Sequence, residues 1–231
     1  MTAARLGVFG GTFNPIHVGH LRAAEDVAEQ LELDRILFVP AAEPPHKADT
    51  RGDPIAPAAL RLAWVRAAID GNSRLEVDPQ EIERGGRSFT FHTLERLASR
   101  TAPERPVFVI GCDAFALLDT WREIEKLFAL AHFAVMTRPP VEEGRLADWL
   151  PDCLRGELEF EPDGRSGLHR RAGGWIRAVR VCALDVSSSD IRARIRTGRS
   201  VRYLLPEPVR HAVLESGVYG NDPADYAGSR P

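Results

Sequence analysis

The chain has 231 residues, 44% of them hydrophobic and 27% charged, and a net charge of −3. That composition suits a packed α/β-sized domain, and the slight negative charge argues against a general electrostatic grip on nucleic acid. No run of about 18 apolar residues occurs, the start MTAARLGVFGG has no signal-like apolar segment, and Cys112, Cys153 and Cys182 lack C-x-x-C spacing, so a reduced, cytoplasmic protein with no membrane or disulfide framework is expected.

Leu6–Phe9 reads as a short buried strand leading into a glycine turn at Gly10 and Gly11. His20–Leu31 follows as a helix with Leu21, Ala24, Val27, Ala28 and Leu31 on one face. Arg35–Val39 is a second buried strand that Pro40 ends, and the Pro-rich, charged stretch after it is a loop. Ala58–Asp70 is helical, Leu75–Val77 a strand, Thr90–Ser99 a helix and Pro106–Ile110 a strand. Helical segments at Ala114–Leu118 and Ile124–Leu130 precede a strand at Phe133–Met136. From Arg145 to Arg180 the pattern weakens into an irregular excursion or a hairpin. Helices at Asp190–Thr197 and Pro208–Ser216 close the pattern, and the tail from 221 to 231 is expected to be mobile. Apolar strands alternating with helices over short loops predict an α/β fold. Its central, mostly parallel sheet should be covered on both faces, with a small C-terminal helical part over 187–218. Residues 1–220 should then form one domain.

A glycine turn between a strand and a helix makes a cradle for an anion, because backbone N–H groups and the helix N-terminus face it. Neither G-x-G-x-x-G nor a P-loop is present. The turn instead carries H-V-G-H, so His17 and His20 can share a face and clamp charge building on a phosphorus centre. Gly19 between them would let a bulky ligand approach the backbone. A zinc pair or two incidental surface histidines remain open at this point, although no third and fourth zinc ligand is evident. Ser187, Ser188 and Ser189 stand where a helix N-cap belongs. One serine suffices for capping, and three hydroxyls with Arg192 offer a second anion cradle. Lys47 sits on a rigid Pro-Pro loop, as a phosphate contact or a plain solvated lysine. Trp121 is either a buried core ring or a stacking platform.

GGTFNPIHVGH resembles the signature of the H-x-G-H nucleotidyltransferase superfamily, and four further segments follow in order: PPHK, RSFTFHTL, GCDAFALLDTW and VSSSDIRARIRTGRSVRYLLPEPV. Together they are similar to the bacterial nicotinate mononucleotide adenylyltransferases over roughly residues 5–220. The resemblance implies a Rossmann-like nucleotidyltransferase fold. It also implies transfer of adenylate from ATP to nicotinate mononucleotide in NAD biosynthesis, giving deamido-NAD and pyrophosphate, with Mg²⁺ carried on the ATP phosphates. His17 and His20 would then be catalytic. Gly10, Gly11, Thr12, Phe13, Lys47, Ser187, Ser188, Ser189, Ile191 and Arg192 would bind ATP. Phe89, Thr90, Gly111, Asp113, Trp121 and Arg138 would bind the mononucleotide, with the nicotinate carboxylate at the start of the Thr90 helix. The family usually has Tyr and Asp where this chain has Phe89 and His92, which bears on how the pyridine ring is held. Partners are small molecules, with no nucleic acid or membrane, and a homo-oligomer stays open. Competing readings are a related adenylyltransferase acting on nicotinamide mononucleotide or another phosphate acceptor, and a non-catalytic nucleotide-binding module.

Overall fold

Six strands joined through parallel pairings frame the molecule: β1 (Leu6–Gly11), β2 (Arg35–Pro40), β3 (Leu75–Val77), β4 (Val107–Gly111), β5 (His132–Thr137) and β8 (Trp175–Arg180). The computed structural model describes residues 5–44, 54–137, 145–182 and 184–220. Two antiparallel strands, β6 (Leu158–Phe160) and β7 (Ser166–His169), extend the sheet to the order β3-β2-β1-β4-β5-β8-β7-β6. The weak stretch after Arg145 is therefore a hairpin whose last strand returns parallel to β5. Its alternation is broken by charged and glycine residues, which hides short strands from a pattern reading.

Alternate residues on each strand point to opposite layers, and both layers are apolar. Phe9, Ile36, Phe38, Val107, Val109 and Ala134 pack with α1 (Val18–Gln30), α2 (Ala58–Ile69), α7 (Ser188–Arg196) and α8 (Glu207–Glu215). Val8, Leu37, Val39, Phe108, Ile110, Phe133 and Val135 pack with α4 (Thr90–Thr101), α5 (Cys112–Phe115) and α6 (Ile124–Leu130). Coverage on both faces explains why these strands read as continuous apolar runs.

Several boundaries differ from the sequence reading in ways that matter for the site. β1 runs two residues further, so Gly10 and Gly11 pair with Val39 and Pro40 as strand residues and are not the turn. The turn is Thr12–Ile16, and α1 begins at Val18 with His17 as its N-cap. A short helix, α3 (Gln80–Arg84), was not expected. The expected helix near 114–118 is split between α5 and a 3-10 turn over Leu118–Thr120. Lys47, Arg138 and the tail from 221 to 231 lie outside the described residues.

Candidate active site

Strand order reverses where β1 lies between β2 and β4, and ligands in open α/β sheets sit at the carboxyl ends of strands at such a point. Those ends are Gly10–Gly11 and Gly111. Two cavities open there, of about 350 Å³ and about 420 Å³.

The smaller cavity is lined by His17, Gly19 and His20 on one side and Ser187, Ser188, Ser189 and Arg192 on the other, with Gly111 and Asp113 at the β4 end. The His17 and His20 rings stack with centroids 3.7 Å apart and planes tilted by 32°. The His17 N–H donates to His20 Nδ1 at 3.2 Å. An Nδ1 that accepts places the neutral ring's proton on Nε2, which makes that nitrogen a donor. Phe13 holds His20 edge-on at 5.2 Å and is itself wedged against Phe9 and Phe38. Its backbone sits at φ 48°, in the left-handed region, a strain that the surrounding aromatic packing must offset. A Cβ on Gly11 would come within 2.8 Å of the Phe13 ring, so glycine is needed there for close approach. Gly19 serves a similar purpose: a Cβ would meet Val186 at 2.9 Å and the His17 ring at 3.1 Å. Glycine is therefore required there by the packing of Val186 and His17, and its backbone also lines the cavity.

The opposite wall is the start of α7. Ser187 Oγ caps it, accepting from the Asp190 N–H at 3.1 Å. Ser188 Oγ donates to the Pro15 carbonyl at 2.9 Å, and Ser189 Oγ accepts from Arg192 at 3.2 Å. Arg192 is buried and donates to the Asn14 carbonyl at 2.7 Å. The Thr12–Ile16 turn and α7 are thus fastened together across 173 to 178 residues of sequence. Asn14 Oδ1 also accepts from Tyr219 Oη at 2.6 Å and from the Ala56 N–H at 2.9 Å, which ties the same turn to the C-terminal segment and to the approach to α2.

The larger cavity lies on the other side of Gly10 and Gly11. Phe89, Phe108 and Trp121 give it aromatic walls, and Thr90, Ser88 and Glu81 give it polar points. Trp121 meets Phe108 edge-on at 6.0 Å, and the Arg122 guanidinium lies 5.4 Å from the Phe89 ring centre. Phe89 is the N-cap of α4 and Thr90 its first residue, so the helix N-terminus borders the cavity. Arg61 braces the opposite wall from inside: it is 1% exposed and donates to the carbonyls of Ala56 at 2.8 Å, Thr12 at 2.8 Å and Ala42 at 2.9 Å. Burial lowers its pKa, and Tyr219 and Glu81 partly oppose that. Burial also raises the Glu81 carboxyl above the usual range, against hydrogen bonds from Ser88 and Thr93.

The structure sorts the expected residues differently from their sequence grouping. Gly111 and Asp113, expected with the mononucleotide, line the histidine cavity. Gly10, Gly11 and Thr12, expected with ATP, line the aromatic cavity. Phe13 and Ile191 are 2% and 0% exposed and act as packing beneath the site. The sequence motifs do not mark Asn14, Arg61, Glu81 or Tyr219 as site residues. Arg61 left one signal, a charge on the same helical face as Trp64 and Val65; Glu81, within the charged run EIER, left none. Among the described residues no group of three His, Cys, Asp or Glu could hold a metal ion, and no helix is long and apolar enough to cross a membrane.

Comparison with known proteins gives concordant results. The family model described as cytidylyltransferase-like matches residues 8–194. A probable nicotinate-nucleotide adenylyltransferase of Citrifermentans bemidjiense is 40% identical over 218 residues, covering 93% of this chain and 98% of the relative. Its counterpart from Marinobacter nauticus is 40% identical over 222 residues, covering 94% and 98%. The Plasmodium falciparum nicotinic acid mononucleotide adenylyltransferase complexed with NaAD superposes with a TM-score of 0.70 at 14% identity, covering 95% and 98% of the two chains. At that identity the structural likeness speaks for the fold.

Proposed function

The chain belongs to the cytidylyltransferase-like family, among its nicotinate-nucleotide adenylyltransferases, and from that premise we propose that the two cavities are the halves of one adenylyl-transfer site. The reaction joins nicotinate mononucleotide to ATP. A 5′-phosphate oxygen of the mononucleotide attacks the α-phosphorus in line, a P–O bond forms, the bond to the β-phosphate oxygen breaks, and deamido-NAD and pyrophosphate result. The nucleophile is already an anion, so no general base and no covalent enzyme intermediate are required. What remains is alignment of two charged partners and neutralisation of charge as it develops.

The histidine cavity is assigned to the ATP phosphates. His17 and His20 would meet the α-phosphate and the bridging oxygen, and Ser188, Ser189, Arg192 and the α7 N-terminus the β- and γ-phosphates. Lys47 is proposed as a further phosphate contact. The aromatic cavity is assigned to the pyridine mononucleotide, with Trp121 and Phe89 flanking the ring and the α4 N-terminus at Thr90 receiving its carboxylate. Asp113 and Arg138 are proposed near the ribose or phosphate that joins the two halves. Mg²⁺ would enter on the ATP phosphates; Asp113 is the sole carboxylate among the described residues that line the histidine cavity, which suits a substrate-borne ion better than a resident one. Residues 1–220 would act as one unit, in the cytoplasm with these substrates.

The observation that carries this reading is the stacked histidine pair facing the start of α7 across a single cavity. The test is pyrophosphate release from ATP and Mg²⁺ with nicotinate mononucleotide, nicotinamide mononucleotide and phosphopantetheine supplied separately. Release with the nicotinate compound, far above the other two, is expected. Preference for the nicotinamide compound would overturn the pyridine assignment, and ATP binding without release would overturn the enzyme reading.

A further inference from the structure

Glu81 is a buried carboxyl that neither the phosphate chemistry nor the ring stacking uses. It is 7% exposed and forms part of the aromatic cavity's lining. It stands on α3, whose entry is fixed by the Gln80 N–H donating to Asp78 Oδ1 at 2.9 Å. Its carboxyl accepts from the Thr93 hydroxyl, on α4, and from the Ser88 hydroxyl. Ser88 Oγ in turn accepts from the Ala42 N–H at 2.8 Å, and the Ser88 N–H donates to the Glu43 carbonyl at 2.9 Å. One carboxyl therefore joins three pieces of the cavity wall: α3, the turn into α4, and the segment leaving β2.

The charges around Glu81 come from several elements. On its own helix Arg84 attracts it, although that guanidinium also donates to the Arg87 carbonyl at 2.7 Å. Asp78, which precedes α3, repels it. Arg61 reaches it from α2 through space while spending its own hydrogen bonds on backbone carbonyls. Burial outweighs these influences and favours the uncharged acid. Thr93 lies within one helical turn, about 5 Å, of the α4 entry. A negative charge on Glu81 would therefore oppose an anion seated at that helix end.

We propose that Glu81 is a positioning and specificity residue, which holds the entry turn of α4 and sets the preference for a carboxylate-bearing pyridine ring over its neutral carboxamide through the charge it presents there. The inference rests on the nicotinate reading above. With Glu81 uncharged, the helix N-terminus can hold the substrate carboxylate unopposed. As pH rises and Glu81 ionises, the acid substrate is repelled and the amide is not. Both mononucleotides carry the same phosphate, so the ratio of their kcat/KM values cancels its titration and that of groups acting equally on both.

The experiment measures that ratio for the intact wild-type chain and for Glu81→Gln from about pH 4.5 to about pH 9, a range that starts at the ordinary carboxyl value and runs upward. Glutamine keeps the size and can still accept from Ser88 and Thr93, but cannot ionise. In the wild type the nicotinate preference is expected to fall roughly tenfold with rising pH, a coupling of ordinary size between two sites. In Glu81→Gln it should stay flat, at or above the wild-type value at low pH. A purely structural residue would move stability and both substrates together and leave the ratio alone. A flat wild-type ratio, or a Glu81→Gln ratio that follows the wild type across the range, would overturn the inference alone. A wild type that turns over neither mononucleotide would take down the nicotinate reading and this inference with it.

Discussion

The histidine cavity and the aromatic cavity meet at the same strand ends, yet they are built of opposite materials. The first is made of two helix starts and the Thr12–Ile16 turn, whose polar groups are already bonded to one another: Ser188 to Pro15, Arg192 to Asn14, and the His17 backbone to His20. The second is made of rings, Phe89, Phe108 and Trp121, carried on separate segments and held by a buried arginine and a buried acid. The contrast suits the tasks proposed for them. Charge transfer at phosphorus rewards donors fixed before the substrate arrives. Choosing one pyridine ring rewards a shaped apolar slot with few polar points.

Substitutions on either side should separate those tasks. The largest effect is expected from His20→Ala, which removes a donor without disturbing the aromatic walls. Turnover should fall by about 10²–10³, read as kcat for pyrophosphate release, with an unchanged circular dichroism spectrum. Arg61→Ala probes the seam, because it strands three backbone carbonyls and frees the Thr12 and Ala42 walls together. A loss of about 3 kcal/mol is expected, seen calorimetrically as a melting temperature roughly 6–12 °C lower. Trp121→Ala should act on one side only. It should raise the mononucleotide KM by the equivalent of ~1–3 kcal/mol and leave the KM for ATP unchanged; an equal rise in both would erase the division.

The smallest effect is a control remote from both cavities. His132 opens β5, at the other end of the strand, where its ring stacks on Trp175 at 4.6 Å and its Nδ1 accepts from the Trp175 N–H at 3.0 Å. Burial lowers its pKa from 6.5 to about 4. The folded state thus favours the neutral ring, so its contribution to stability is complete above 6.5 and is lost as pH falls toward 4. His132 is only partly buried, and solvent screening limits the effect to about 1–2 kcal/mol. Denaturant titrations over that window should show a decline that His132→Gln flattens, while acceptor preference does not change.

The histidine cavity was far more legible in the sequence than the aromatic one. Its parts are contiguous motifs at helix starts, G-G-T-F-N-P-I-H-V-G-H and S-S-S-D-I-R, and local spacing predicts which side chains share a face. What spacing could not give was the reach of β1: Gly10 and Gly11 belong to the strand because Val39 and Pro40 pair with them, a long-range fact. The aromatic cavity draws on β1, β4, α3, α4 and the turn at Trp121, so only the strand order brings it together. For the same reason Gly111 and Asp113 ended beside the histidines, since β4 adjoins β1 and its exit faces α7 across that cavity. Glu81 and Tyr219 carry no local signal because their partners, Ser88 and Thr93 in one case and Asn14 in the other, are set by tertiary packing. The hairpin of β6 and β7 was legible only as an alternative to an irregular excursion, for the opposite reason: it is local, but too short and too charged to show a period.

The most direct test of this division is the acceptor preference of His20→Ala. Its kcat/KM for nicotinate and for nicotinamide mononucleotide should fall together, by about 10²–10³, and the ratio between them should match the wild type. A ratio that shifts as far as turnover falls would mean that the histidines help to choose the acceptor, and that catalysis and selection are not divided between the two cavities.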